Sequence, residues 1–475
     1  MKSKLIHIIL AAAVLAPVAA GAKSPKRGVS ENQFSMTVQL DAIKEGVSWY
    51  YNWGNVPSKG YGAPLADYED IEFVPMCWNA NYDADKIREF VKAHPNTKYM
   101  LGFNEPNFTA QANMTPQQAA EAWPAVKALA DELGLKLVAP ALNYSPNPPY
   151  TDPLKWMDEF VELVGKDAFD YTAVHNYGGC GGMQTLAGNF HDRYGKDVWV
   201  TEFCYWPGES GYVDPQTQIA SMVESVQWLE TTPWIFRYAW FKCIGDSNKP
   251  NSGNFGLISQ PASNPTQTTW DLSDQGYVYT YMSDFSDMTH EADGKWWNAA
   301  EYVASNNIGL GRSYDTETGA KIDINKLVSG AHVDYRVNIS KEGDYTLEIR
   351  MGGVGEPARF DPTLALHRVT EDGTATELAA ATKFTLPGSD DQYKTESLKL
   401  HLAAGVHTLR LQDAAPYQPS GIRISALRLN DQAGVGGILP DSDDAPVYNL
   451  QGIRVDAEEL PAGIYIRGGK KILVR

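Results

Sequence analysis

Two carboxylates stand where apolar runs stop. Tyr99, Met100, Leu101 and Phe103 read as a short buried strand led in by the polar pair Thr97 and Lys98, and Pro106 ends it so that Glu105 sits at the strand's C-terminal rim. Gly102 within this run allows a close backbone approach. A second run, 198–203, delivers Glu202 to a strand end in the same way. A pair of glutamates on one rim is what double displacement at a glycosidic bond requires. One carboxylic acid protonates the leaving oxygen, and one carboxylate attacks the anomeric carbon. A lone strand-end glutamate is more often a rim charge or a partner for a helix N-terminus. The pair, with aromatic residues at other strand ends, carries the chemical reading.

The elements that must hold such a pair are legible as an alternation. Segments 46–51, 71–76, 98–103, 135–140, 171–175, 198–202 and 235–241 read as strands, and 83–93, 115–133, 153–164 and 215–229 as helices. Thr115 followed by Pro116 is a helix-start signal. Residues 23–45 read as a leader into the first domain. The alternation predicts an α/β fold, a (β/α)8 barrel of the TIM type, whose catalytic groups sit on the C-terminal rim. Seven strands are visible, and the eighth is expected in the polar segment 54–70 or before Gly46. Either way Glu105 and Glu202 remain three strands apart.

With 475 residues the chain is long enough for two or three domains. The barrel is expected over 23–289. Short alternating strands at 332–339, 344–351, 396–402, 406–412 and 422–429 predict a β-sandwich over 290–430, and a short β-rich tail fills 431–475. Lys2, Lys4, the apolar stretch 5–18 and Ala20-Gly21-Ala22 read as an export signal over 1–22, which places the protein in the periplasm, at the cell surface or outside the cell. No other run is long and apolar enough to span a bilayer. A net charge of −18 without a long basic cluster argues against nucleic acid and against a strongly anionic substrate. The 13 Trp and 25 Tyr supply flat faces for pyranose rings, although large β-rich domains also bury such rings. Cys77, Cys180, Cys204 and Cys243 show no zinc-site spacing. Cys180 and Cys204, each just past a strand end on the same rim, are expected to form a disulfide, with free buried thiols the alternative.

Residues 46 to about 289 resemble glycoside hydrolase family 128, secreted endo-β-1,3-glucanases with a barrel fold. Ser48-Trp49-Tyr50-Tyr51-Asn52-Trp53, Phe73-Val74-Pro75-Met76-Cys77-Trp78 and Leu101 to Asn107 carry the likeness first. Val138-Ala139-Pro140, His175-Asn176-Tyr177-Gly178, Trp199 to Phe203 and Tyr238-Ala239-Trp240-Phe241 follow in order. In that clan the acid/base follows strand four and the nucleophile strand seven. The resemblance implies Glu105 as acid/base, Glu202 as nucleophile, and Asn104 as the partner of the substrate 2-hydroxyl. It implies that Tyr177 holds the nucleophile and Trp240 floors the cleaving subsite. Trp78 and Trp206 stand beside rim positions and read as cleft residues. Trp49 and Trp53 divide between cleft and core, and His175 between substrate contact and core. Where the family would have an aromatic between His175 and Tyr177, this chain has Asn176. No cofactor or catalytic metal is implied.

Residues 296–430 weakly resemble carbohydrate-binding modules of family 6 or 35, through Ala299-Ala300-Glu301-Tyr302, Val333 to Val337, Gly343 to Leu347 and Ala404 to Leu409. That likeness implies a structural Ca²⁺, with Glu301 as the one ligand the sequence offers. The tail resembles C-terminal sorting segments of exported bacterial proteins. The expected function is a secreted, retaining, endo-acting hydrolase of β-1,3-glucan, with the polysaccharide as partner. The alternatives are a hydrolase of another β-glycan, such as a mannan or a β-1,4-glucan, and a surface glycan-binding protein with an inactive barrel. The intact glutamate pair argues against the last.

Overall fold

The computed structural model describes residues 23–431 apart from 61–64, 207–212, 246–254, 261–268, 287, 354–360, 388–391 and 415–421, and in the tail 447–449, 454–455, 463–467 and 470–474. The export signal read over 1–22 lies outside the described residues. By internal contact the chain forms two units, one reaching Met288 and including Leu310–Arg312, the other made of Thr289–Gly309 and the residues from Ser313 onward.

In the first unit, β1 (Arg27–Ser30), β2 (Trp49–Tyr51), β3 (Glu72–Phe73), β4 (Tyr99–Leu101), β5 (Lys136–Leu142), β6 (Tyr171–Asn176), β7 (Val198–Phe203) and β8 (Ile235–Phe241) make one parallel sheet ordered β3-β2-β1-β8-β7-β6-β5-β4. Its two ends meet. Met76, just past β3, bridges Leu101 of β4; Leu101 N donates to Pro75 O, and Cys77 N to Leu101 O, each at 2.9 Å. The ring therefore closes into the expected barrel, with Glu105 just past strand four and Glu202 on strand seven.

The strand that patterning missed is β1, inside the stretch read as a leader. It carries a single large apolar side chain, Val29, so no period marks it, yet all four residues are buried. Its Arg27 is tolerated there because the guanidinium is fully partnered. It pairs with Glu230 at 3.0 Å and donates to the Tyr238 hydroxyl and to the carbonyls of Tyr279, Met282 and Ser283. Gly28 beside it is required by packing, since a Cβ there would sit 2.3 Å from the Trp49 ring. Gly102 is similarly pressed by Val138 O at 2.7 Å.

The helices are α1 (Thr37–Asp41), α2 (Ala84–Ala93), α3 (Pro116–Leu133), α4 (Pro153–Val164), α5 (Cys180–Tyr194), α6 (Pro215–Thr231) and α7 (Asp274–Tyr281). The start of α3 is a reciprocal cap: Gln118 N donates to Thr115 Oγ1 at 3.2 Å, and Thr115 N to Gln118 Oε1 at 2.9 Å. Patterning missed α5 because Gly181, Gly182 and Gly188 dilute its helical signal. Period-two alternation along the strands sends Trp49, Tyr51, Leu101, Val138 and Trp199 into the barrel. Arg237 enters there too. Its guanidinium lies over Tyr99 (4.5 Å), Trp199 (5.2 Å) and Trp49 (5.6 Å) and pairs with Glu72 at 2.7 Å. Past β8 a small antiparallel pair, β9 (Ile258–Ser259) and β10 (Asp271–Leu272), leads into α7.

The second unit is antiparallel. After β11 (Thr289–Glu291), β12 (Trp297–Asn298) and β13 (Ala304–Arg312) come β14 (Ile322–Ile339), β15 (Gly343–Gly353), β16 (Thr363–Val369), β17 (Ala375–Lys383), β18 (Tyr393–Leu402), β19 (Gly405–Asp413) and β20 (Ile422–Asp431). The main path runs β17-β16-β19-β14-β20-β15-β18. The register sets Asp334 opposite Arg410, which pair bidentately at 2.8 Å. Patterning missed β13, β16 and β17. Of these, β17 is solvated along most of its length, so no buried face marks its period. The tail forms a separate sheet of β21 (Val447–Tyr448), β22 (Arg454–Val455), β23 (Gly463–Arg467) and β24 (Lys470–Val474).

One expectation fails here. All four cysteines are free and buried. Cys180 opens α5 and turns its thiol toward α6, with Sγ 3.7 Å from Glu224 O, rather than across the rim to Cys204. Both Glu301 oxygens are engaged by Asn298, and no group of three or more metal-binding side chains occurs among the described residues.

Two measurements check this description. Thiol titration of the unfolded, unreduced protein should count four free cysteines. Arg27→Ala should leave Glu230 buried without its cation, lowering stability by about 3–5 kcal/mol in urea unfolding. An unchanged midpoint would remove Arg27 from its structural role.

Candidate active site

Barrel closure brings the C-terminal strand ends around one cleft of about 710 Å³. Asn32 comes from beyond β1, Trp53 from beyond β2 and Trp78 from beyond β3. Asn104, Glu105, Phe108 and Gln111 follow β4, and Asn143 and Tyr144 follow β5. Tyr177, Glu202 and Trp206 come from β6 and β7, and Phe241, Lys242 and Phe255 from β8 and the chain beyond it.

Glu105 is presented by a backbone that few residues adopt. Its amide donates to Ala141 O at 2.9 Å and its carbonyl accepts from Phe108 N, which holds φ at +43° in the left-handed region. Trp53 is the second such residue in the cleft, at φ +57°. The Asn52 side chain fixes that turn, accepting from Gly54 N at 3.0 Å and donating to Val56 O at 3.1 Å. Left-handed non-glycine backbone persists where the surroundings impose it, and it concentrates at functional sites.

Glu202 needs no strain. The register of β6 and β7 pairs it with His175, so the two side chains rise together from neighbouring strands. Trp53 Nε1 donates to Glu202 Oε1 at 2.7 Å, the Tyr51 hydroxyl reaches the same oxygen at 3.1 Å, and the Tyr177 hydroxyl donates to Oε2. His175 Nδ1 lies 3.0 Å from Glu105 Oε1 and 3.5 Å from Glu202 Oε2. One ring nitrogen thus stands between the two carboxylates.

Burial sets the electrostatics. It pushes the Glu202 carboxyl above its ordinary range, and the Glu105 charge adds to this, while His175 and the Tyr177 and Trp53 donors pull it back. Burial alone would lower His175, but the two glutamates outweigh it and raise the imidazole. Burial and Glu202 drive the Tyr51 and Tyr177 phenols well above their usual range, so both remain hydrogen-bond donors at neutral pH. Asn104 Oδ1 is buried with no hydrogen-bond partner, although its amide nitrogen lies 3.4 Å from Gln111 Oε1.

Of the residues expected at a site, Glu105, Glu202, Asn104, Tyr177, Trp53, Trp78 and Trp206 line the cleft. Three do not. Trp49 lies two residues below Tyr51 on the same inward face, fully buried against Trp199. Trp240 points outward by strand alternation, with Nε1 on Phe255 O and its ring on Phe203 and Tyr279. The next residue, Phe241, faces the cleft in its place, near-parallel to Trp206 (11°) and edge-on to Tyr177 and Trp53. His175 is fully buried beneath the carboxylates, where it touches them rather than the open cleft. Asn176 turns away as well, donating to Gly179 O at 2.9 Å.

Patterning overlooked Asn32, Phe108, Gln111, Asn143, Tyr144, Phe241, Lys242 and Phe255, which stand on loops or one register step from a residue singled out. Tyr144 is 54% exposed, an aromatic face open to solvent at the cleft edge. The buried Glu31 carries no strand signal, yet it fixes the chain past β8. Ile244 N donates to it at 2.6 Å and Gln33 N at 2.7 Å.

The glycosyl hydrolase catalytic core family matches residues 28–270. Alkali-sensitive linkage protein 1 of Schizosaccharomyces pombe is 24% identical over 245 residues, which are 50% of this chain and 41% of that protein. The chain therefore spans less than half the length of that curated relative. Among solved structures, a GH128 subgroup II endo-β-1,3-glucanase from Pseudomonas viridiflava is 34% identical, covering 55% of this chain and 98% of its own, with a TM-score of 0.48. The corresponding enzyme from Sorangium cellulosum is 30% identical, covering 54% and 98%, with a TM-score of 0.46. A subgroup I enzyme from Amycolatopsis mediterranei, in complex with laminaritriose, is 27% identical, covering 54% and 99%, with a TM-score of 0.43. With more than half of its length matched by the family, and a glutamate pair at the mouth of the matched barrel, the chain belongs to the glycosyl hydrolase catalytic core family.

Proposed function

We propose that the barrel hydrolyses β-1,3-glucan internally and with retention, Glu202 acting as nucleophile and Glu105 as acid and then base. The observation that carries this reading is the shared His175 nitrogen. The facing oxygens of the two glutamates can be no further apart than its two contact distances laid end to end. That favours the short carboxyl separation of about 5–5.5 Å used in retention over the wider spacing that admits a water for inversion. β-1,3-Glucan is the substrate implied by the ordered family 128 motifs, and the bacterial relatives above are named for acting on it.

The roles follow from the partners. His175 holds Glu105 Oε1, which leaves Oε2 to carry the proton toward the leaving oxygen. Attack by Glu202 on the anomeric carbon expels that oxygen as the proton transfers, forming a glycosyl ester. Glu105, now a carboxylate, draws a proton from water as the water displaces Glu202. Asn104 Oδ1, buried and unpartnered, is an acceptor for a sugar hydroxyl beside the reacting carbon. Trp53, Phe241 and Trp206 offer ring faces to the sugar. The same proposal exports the protein through its apolar leader and assigns the β-sandwich to glucan capture. Retention of insoluble glucan by the full chain, compared with the chain lacking 290–430, checks the latter.

A reducing-sugar assay across β-1,3-glucan, β-1,4-glucan and mannan, with product anomers followed by NMR, tests the main claim. Activity confined to another glycan, or inverted product, would overturn it. Glu202→Gln should lower kcat by roughly a thousandfold or more. Glu105→Ala should lose roughly 10²–10⁴-fold on glucan and recover on aryl glycosides with azide. Full activity in Glu202→Gln would end its role as nucleophile.

The raised Glu202 also fixes a stability trend. Its neutral form is favoured in the fold relative to the unfolded chain. The wild-type fold therefore keeps its full margin below the ordinary carboxylate pKa and loses part of it as pH rises through the raised value. Glu202→Gln never ionises, so its Tm should exceed wild type at neutral pH and the gap should close on acidification. A variant no more stable at neutral pH would contradict the assigned direction.

A further inference from the structure

A second cavity, of about 290 Å³, opens beside the cleft and is unused by the chemistry above. Asn79, Ala80 and Asn81 line one side of it, and Ala112, Asn113, Met114 and Gln118 the other. Its walls are the chain beyond β3 and the chain beyond β4. Those same segments give Trp78 and Gln111 to the cleft, each adjacent in sequence to a residue of the second cavity. The two hollows are also joined through backbone. Asn104 N donates to Trp78 O at 2.9 Å, Ala112 N to Asn104 O at 3.2 Å, and Met114 N to Pro106 O at 2.9 Å.

The lining has the chemistry of a sugar site. Buried Ala112 and Met114, with Ala80, give an apolar floor for the C–H face of a pyranose. Four amide side chains surround it: Asn79 Oδ1 accepts from Asn81 N at 2.8 Å and Gln118 Oε1 from Thr115 N at 2.9 Å, which leaves their NH2 groups as donors, while the amides of Asn81 and Asn113 can donate and accept, as vicinal hydroxyls require. No charged side chain lines the cavity, so it fits a neutral sugar rather than an anionic one. Asn113 stands in the left-handed region at φ +50°, held there between the ends of one tight loop.

We propose that this cavity is a distal subsite that binds a neutral glucosyl unit of the same chain whose scissile bond lies between Glu105 and Glu202. The inference rests on the proposed glucanase reading. A sugar bound here adds contacts far from the reacting carbon, so longer chains gain rate over shorter ones. Because the floor is bonded to the Asn104–Pro106 backbone, its occupancy also steadies the segment that presents the acid.

The test is the ratio of kcat/KM for the longest to the shortest cleaved member of a β-1,3-gluco-oligosaccharide series from trisaccharide to octasaccharide. Wild type should show a clear rise with length. The double variant Asn81→Ala/Asn113→Gly removes two amides and keeps the backbone, since glycine takes a positive φ freely. Its ratio should fall about tenfold, the worth of one or two hydrogen bonds. Ala80→Trp, which fills the hollow from an exposed position, should flatten the ratio in the same way. Wild type that cleaves the series with a ratio unmoved by either substitution would overturn the distal subsite. Wild type that cleaves no member would overturn the glucanase reading itself.

Discussion

The site depends on one buried carboxylate that must be kept usable as a charge. Glu202 sits at the barrel mouth with almost no water around it, and that alone would hold it protonated. Donors from two strands and the segments just past them oppose this: Trp53 and Tyr51 from β2 and the turn after it, Tyr177 past β6, and His175 on β6 itself. Each donor has to arrive at the same height on the ring, and a closed parallel barrel is a way to deliver them. The left-handed turn at Trp53 and the inward layer of Tyr51 and His175 both serve this end. Below them the aromatic stack around Arg237 fills the barrel.

The second carboxylate is handled differently. Glu105 is placed by backbone geometry rather than by a ring of donors, with one side-chain partner on one of its oxygens. The asymmetry matches a group that must take up and release a proton set beside one that must stay ionised until it attacks. His175 links the two, so the charge on either is felt by the other.

Much of this was legible in the sequence wherever a side chain's job is signalled by its own position. Glu105 and Glu202 stand at the ends of apolar runs, Thr115 and Pro116 announce α3, and α4 runs Pro153–Val164 as the pattern reads. Legibility failed where the answer depends on depth or on distant partners. Trp49 and Tyr51 share a face, and only the height of the rim separates core from site. Trp240 and Phe241 differ by one register step, which strand alternation turns into opposite sides of the wall. β1 is held by a buried ion pair whose other half lies on α6, beyond the reach of any local period. The Cys180–Cys204 expectation erred for a related reason: a shared rim does not fix the direction in which a thiol points.

The closure of the barrel bears on how the enzyme stops working. The seam between β3 and β4 is joined by one bridged residue and by the short backbone links from Pro75, Cys77 and Trp78. The nucleophile's side of the ring, from β5 through β8, is laced by longer ladders. A local opening there would leave β4 joined through β5 and β6 to β7, so the two glutamates stay on one run of strands and the side that carries Trp53 and Trp78 parts from them. Heat inactivation would then be a local event that precedes collapse of the barrel. Brief cooling would restore turnover, long before any refolding from the unfolded chain could account for it.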